Sequence, residues 1–139
     1  MAATTVDRNT PATWIEREIA LTLKAGAVIP AGTMVCTDAT GLAVTASDTA
    51  GLKMQGRAAH RADQTLGDTT VLVERGVFSW ANDGTIAQAN VGQLATILDN
   101  QTLSLAATTV NDIGAGWIES VDAVLGVSIS VLGGRPEAA

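Results

Sequence analysis

Gly67-Asp68-Thr69-Thr70-Val71-Leu72-Val73-Glu74-Arg75-Gly76-Val77-Phe78-Ser79-Trp80 is the stretch on which the fold turns. Val71 and Val73 fall on one parity, and Thr70, Leu72 and Glu74 on the other, which is the alternation of a β-strand. Beyond Gly76 the bulky residues Phe78 and Trp80 occupy the opposite parity. A parity switch across a glycine predicts a β-bulge or a sharp bend there. Phe78 and Trp80 then share a strand face, and at least one of them belongs to the core. Asn82-Asp83-Gly84 ends the segment as a turn.

Upstream, Ile15, Ile19, Leu21 and Leu23 share one parity, while Glu16, Glu18, Thr22 and Lys24 share the other. This predicts a half-buried strand from Trp14, with Arg17 alone breaking its apolar face. Pro30-Ala31-Gly32 is a turn. Short strands are expected over 33–37 and 42–45. The segment 53–60 fits a strand or a helical turn, and its turn-rich surroundings favour strand. Downstream, 85–91 fits a short helix, and strands are expected over 94–98, 102–105, 117–121 and 124–131. Many short strands with turn signals every ~8–12 residues predict one mainly β domain, a small sandwich or barrel-like (β-tulip-like) fold with at most one or two short helices. Residues 1–13 are small and polar without any period, and are expected to form an extended arm, flexible when free. The β-rich domain is expected over 14–132, followed by a polar tail at 133–139.

The chain has 139 residues, a net charge of −6 and only 16 % charged residues against 47 % apolar. It is long enough to bury a core without staples. Its acidity disfavours binding to phosphate backbones, and no basic cluster offsets it. The sparse charge points to a surface partly covered by partners. No apolar run reaches the ~18 residues of a membrane-spanning helix, and the N-terminus lacks a basic start followed by an apolar run. Synthesis in a cytoplasm is expected.

The residues offer little for catalysis. The single cysteine, Cys36, sits beside Met34 and Val35 and reads as a small strand residue. The single histidine, His60, reads as a surface or edge-strand residue. Together they supply too few soft ligands for zinc. Gly114-Ala115-Gly116-Trp117 starts like a dinucleotide fingerprint but lacks the third glycine, and reads as a turn before a strand. Asp99, Asn100 and Asp112 offer oxygen ligands without an EF-hand loop. Glu16 and Glu18 lie on an outer strand face rather than in a cleft. No enzyme activity, cofactor or metal is expected. Trp14, at the junction of arm and strand, either packs on its own domain or anchors an interface.

The order of several motifs carries a family resemblance. They are Ala27-Val28-Ile29-Pro30-Ala31-Gly32-Thr33, the segment Gly67–Phe78, Val91-Gly92, Asp99 with Thr102-Leu103, Gly116-Trp117-Ile118, and Val127, Ile129 and Val131. In this order and spacing, from about Thr13 to Val131, the chain resembles the capsid cement or head decoration proteins of tailed phages and prophages, of the lambda type. The resemblance implies a structural virion protein on the outer surface of the expanded capsid. There it would bind the major capsid protein as a homotrimer at three-fold and quasi-three-fold positions, with no nucleic-acid or membrane partner. It implies capsid contact through the arm, and so Thr4, Thr5, Val6, Arg8, Thr10, Pro11, Thr13 and Trp14 are the expected binding residues. The other reading of the sequence is a ligand- or glycan-binding β-module of a virion fibre or cell surface, which requires an exposed aromatic platform.

Overall fold

The computed structural model describes residues 2–131. The tail expected at 133–139 lies outside them. The longest strand, β7 (Thr70–Asn82), is the centre of the fold. One of its edges carries β1 (Ala12–Thr22). Its other edge is shared by β5 (Lys53–Ala58) and, further along, β11 (Gly126–Val131). From β11 the ladder continues to β10 (Gly114–Asp122), β8 (Leu94–Asp99) and β9 (Thr102–Ser104). β9 returns to β7 through a parallel pairing, and the ring closes. Closure leaves these strands no unpaired edge at the ring itself.

A second arc leaves β7 through β5, β3 (Met34–Thr37) and β4 (Ala43–Thr45). Leu23, just beyond β1, bridges Ala43 of β4. The arc thus curls back toward β1. β2 (Val28–Ile29) and β6 (Ala62–Asp63) form a small separate ladder. The two helical pieces, Gln64–Leu66 and Gln88–Asn90, are single 3₁₀ turns. The protein is mainly β with a closed, barrel-like sheet, as its strand and turn pattern predicts. The segment 53–60 resolves as a strand over Lys53–Ala58, and the helix expected over 85–91 contracts to the turn at Gln88–Asn90.

The parity switch in β7 has a cause other than the expected bulge. Val71 and Val73 belong to one core with Leu23, Ile29, Val35, Ala43, Ala58 and Ala62, beneath the arc. Phe78 and Trp80 belong to a second core with Ile97, Leu103, Ile118, Val127 and Ile129, inside the ring. β7 runs on without an inserted residue, and each half buries a different face. Both aromatic rings are fully buried, with centroids 5.7 Å apart. The irregularities fall on the partner strand: β1 carries an extra residue at Thr13 and another at Glu16. The bulge at Glu16 also moves Ile15 off the face of Ile19 and Leu21. Ile15 is exposed rather than apolar-face core, and β1 as a whole is mostly exposed.

Gly76 lies in regular pairing with Ile15 on one side and Val131 on the other. Its role is close approach: a Cβ there would lie 2.0 Å from the Trp14 carbonyl oxygen. Gly76→Ala is therefore expected to push β1 away and to cost about 1–3 kcal/mol, read as a lower urea midpoint. An unchanged midpoint would contradict this packing. Gly114 and Gly116 are also strand residues, not a turn. β10 begins at Gly114, and a Cβ on Gly116 would lie 2.3 Å from the Ser130 carbonyl oxygen.

Candidate binding surface

The arm forms no strand before Ala12, but it is tied to the barrel along its length. Thr4 and Asn100 exchange two hydrogen bonds: the Thr4 N–H donates to Oδ1 (2.9 Å), and Asn100 Nδ2 donates to the Thr4 carbonyl (3.0 Å). Gln101 Nε2 donates to the Ala2 carbonyl. Arg61 donates to the Thr5 carbonyl and pairs with Asp7 at 3.2 Å. The Ala31 N–H donates to Asp7, and the Arg8 N–H donates to the Ala31 carbonyl. The Ser79 N–H donates to the Pro11 carbonyl, so that the arm continues the β1–β7 ladder one residue ahead of β1.

Gly32 is the hub of this attachment. Its carbonyl accepts from the Trp80 indole N–H at 3.0 Å and from the Thr10 hydroxyl at 2.5 Å. Its φ is +80°, and a Cβ would lie 1.9 Å from the Arg8 carbonyl oxygen. Only glycine combines that backbone conformation with so close an approach. Arg57 completes the hub. It donates to Glu74 through Nε and Nη2, donates to the Thr10 carbonyl through Nη1, and stacks 4.5 Å from the Phe78 ring centroid.

The residues expected to contact a partner therefore divide. Thr10 is buried at the hub. Thr4 and Thr5 are held by Asn100 and Arg61. Pro11 caps Ser79 through its carbonyl, and Arg8 reaches back to Thr10 and the Ser79 carbonyl. Thr13 is the exposed extra residue of β1. Val6 and Trp14 are the large apolar side chains of this group that face solvent.

Trp14 has a counterpart that local sequence does not reveal. It pairs with Val77 of β7, Val77 pairs with Ser130 of β11, and Ser130 pairs with Trp117 of β10. Directly paired residues share a sheet face, so both tryptophans stand on the outer face of the barrel. Three strand spacings separate them by ~14 Å. Trp14 is 52 % exposed and Trp117 44 % exposed. Between them the floor is made of small and mid-sized side chains, Val77 and Ser130, with Ser79 and Ser128 paired in the next row. Beside this face runs the outer edge of β1, which has no strand partner among the described residues. Sequence reasoning singled out Trp14 but missed Trp117, because its place depends on register across four strands.

The ionisable groups serve the scaffold. Asp99 caps the Gln101 N–H, Asn100 holds the arm, and Asp112 accepts from Thr109, so these three are drawn to separate tasks. Among the described residues no group of three or more His, Cys, Asp or Glu is arranged to hold a metal. His60 is exposed. It lies in the bend after β5, on the surface and not in a strand, and the Leu72 N–H donates to its Nε2. Cys36 is buried in β3.

Several aspartates fasten loops. For Asp48, burial raises the carboxyl value, but the N–H groups of Val110 and Asn111 outweigh it and the net shift is downward. For Asp83, burial is likewise outweighed, here by the hydroxyls of Ser104 and Thr85. Asp38 is held well below the usual range by the Thr40 hydroxyl and Lys24. A carboxyl depressed in the folded state stabilises it above the unfolded value and loses that stabilisation as pH falls. Stability is expected to be level from neutral pH down to about 5 and to decline through about 4 toward 2. Thermal melts against pH check this, and Asp48→Asn should flatten the acid limb. Loss of stability on raising pH from 5 to 7 would contradict the assignment.

No protein-family model, curated protein or solved structure matches this chain.

Proposed function

We propose that this chain is a head decoration protein of a tailed phage or prophage, binding the outer surface of the expanded capsid and stabilising the junctions between its capsomers. The observation that carries the reading beyond the family resemblance is the outer face bearing Trp14 and Trp117 beside the open edge of β1. Half-exposed tryptophans are strong anchors when a partner covers them. An open strand edge can take up a strand from a neighbouring protein. The bulges at Thr13 and Glu16 and the charges of Glu16, Arg17 and Glu18 guard that edge against unselective pairing. A tied-down arm lowers the ordering entropy that a loose arm would lose on binding. Contacts from several copies on one shell add through effective concentration, and resist separation of the subunits beneath them.

The test is co-sedimentation of the purified protein with expanded and unexpanded shells of the phage that encodes it. Saturable binding to expanded shells, with raised shell melting temperature, is expected. Absence of binding to either form would overturn the proposal. Deleting residues 1–13 is a poor probe of contact, because Thr10 and the Pro11 carbonyl belong to the fold.

The same two tryptophans supply the aromatic platform required by the second reading, a glycan-binding module. That reading predicts quenching or shift of tryptophan fluorescence on titration with soluble polysaccharides, abolished by Trp117→Ala. An unaltered spectrum across a glycan panel would remove it.

A further inference from the structure

Arg8 lies on the wall of a cleft of about 380 Å³ whose other walls are Ala81 and Asn82 at the end of β7 and the turn from Asp122 to Gly126. Its guanidinium is half-buried and uses only Nη1, toward the Thr10 hydroxyl (2.8 Å) and the Ser79 carbonyl (3.2 Å). Nε and Nη2 have no protein partner, and no carboxylate lies within 4 Å of the group, among the described residues. This is unusual in a chain with 14 acidic and 8 basic residues. Arg57 and Arg61 are each ion-paired in the same structure. Asp122, on the opposite wall of the cleft, spends Oδ1 on the Val124 and Leu125 N–H groups and makes no ion pair with Arg8. The lip of the cleft is apolar: Val124 is 90 % exposed and Leu125 is 50 % exposed.

We propose that this cleft receives an acidic side chain of a partner protein, its carboxylate held by Arg8 and an adjoining aliphatic residue resting on Leu125. A partly desolvated guanidinium with its fork free is suited to the two oxygens of a carboxylate. Burial pulls the Arg8 guanidinium below its ordinary value, so an incoming negative charge relieves a cost already present. The exposed leucine and valine supply the apolar contact that a lone anion would not use. The net negative charge of the whole protein makes this a local feature, selective for an acidic residue that also fits the lip. The inference rests on the reading of the chain as a binding protein and does not require that the partner be a capsid.

The test is an ¹H–¹⁵N NMR titration of the full chain with the blocked dipeptide Ac-Leu-Asp-NH₂, with Ac-Leu-Asn-NH₂ and sodium acetate as parallel arms. Saturable shifts of the Arg8 Nε–H signal and of the Val124, Leu125 and Gly126 amides are expected with the aspartyl peptide. Affinity for the asparaginyl peptide is expected to be about tenfold weaker, the scale of losing one charge-assisted pair. Arg8→Gln should abolish the response. Because that change also releases Thr10 and Ser79, Leu125→Asp is the second variant, placing a repelling charge at the lip while the arm stays seated. Equal response to the asparaginyl peptide, equal response to acetate alone, an undiminished response in Leu125→Asp, or no response at millimolar peptide would each overturn the proposal. Failure here with intact shell co-sedimentation would discard the cleft and leave the decoration role standing.

Discussion

Arg57→Ala is expected to lower stability by about 3–5 kcal/mol, a large share of the 5–15 kcal/mol that holds a typical domain. Arg57 and Glu74 expose only 15 % and 12 % of their side chains and lie 2.7 Å apart. Truncating the arginine strands a partly buried carboxylate, which costs more than the pair itself contributes. It also removes the donor to the Thr10 carbonyl and the cation over Phe78. Arm, β5, β7 and barrel core lose a common tie. The double change Arg57→Met with Glu74→Leu should recover much of the loss, because it removes the stranded charge. It should not recover all, since Thr10 stays without its donor. Urea denaturation of the three proteins checks the ordering. A loss below about 1 kcal/mol for Arg57→Ala would place the pair among ordinary surface ion pairs.

Trp80→Ala carries a comparable expectation, about 3–5 kcal/mol, for a different reason. The indole is fully buried against Phe78, opposite Val127 in the ladder. Its removal opens a cavity in the barrel core and deletes one of two donors to the Gly32 carbonyl. Trp80→Phe separates the two contributions. It retains most of the apolar volume, and the Gly32 carbonyl keeps the Thr10 hydroxyl as donor, so no acceptor is orphaned. Its cost is expected at about 1–2 kcal/mol. Equal costs for the two variants would mean that the hydrogen bond, not the packing, dominates at this position.

The strands were legible where one face is buried in the ordinary way. Alternation placed β7 and β11, and turn residues bounded β3 and β4. The difference in face between Val71 and Phe78 was also legible, but its cause was not. It arises from two cores on opposite sides of one strand, and a single strand's pattern cannot distinguish that from a bulge. Along the β1–β7 ladder the bulges lie in β1, where Glu16 carries Ile15 out of the apolar face. They answer the path of β7 and leave no mark in β1 beyond Arg17. The arm showed no period because polar groups far along the chain hold it: Arg57, Arg61 and Asn100 lie roughly fifty to a hundred positions away. Trp117 joins Trp14 only through the register of four strands, so the outer face became visible with the sheet and not before.

Affinity of the Trp14→Ala, Trp117→Ala double variant for expanded shells, measured beside the wild-type protein, tests the central claim most directly. Both side chains are half in solvent, so the variant should fold with nearly unchanged stability. If the two anchor the contact, each contributes about 1–2 kcal/mol and the double change weakens binding by about thirtyfold to a thousandfold. A variant that folds and binds expanded shells with wild-type affinity would contradict the claim that this face is the working surface of the protein.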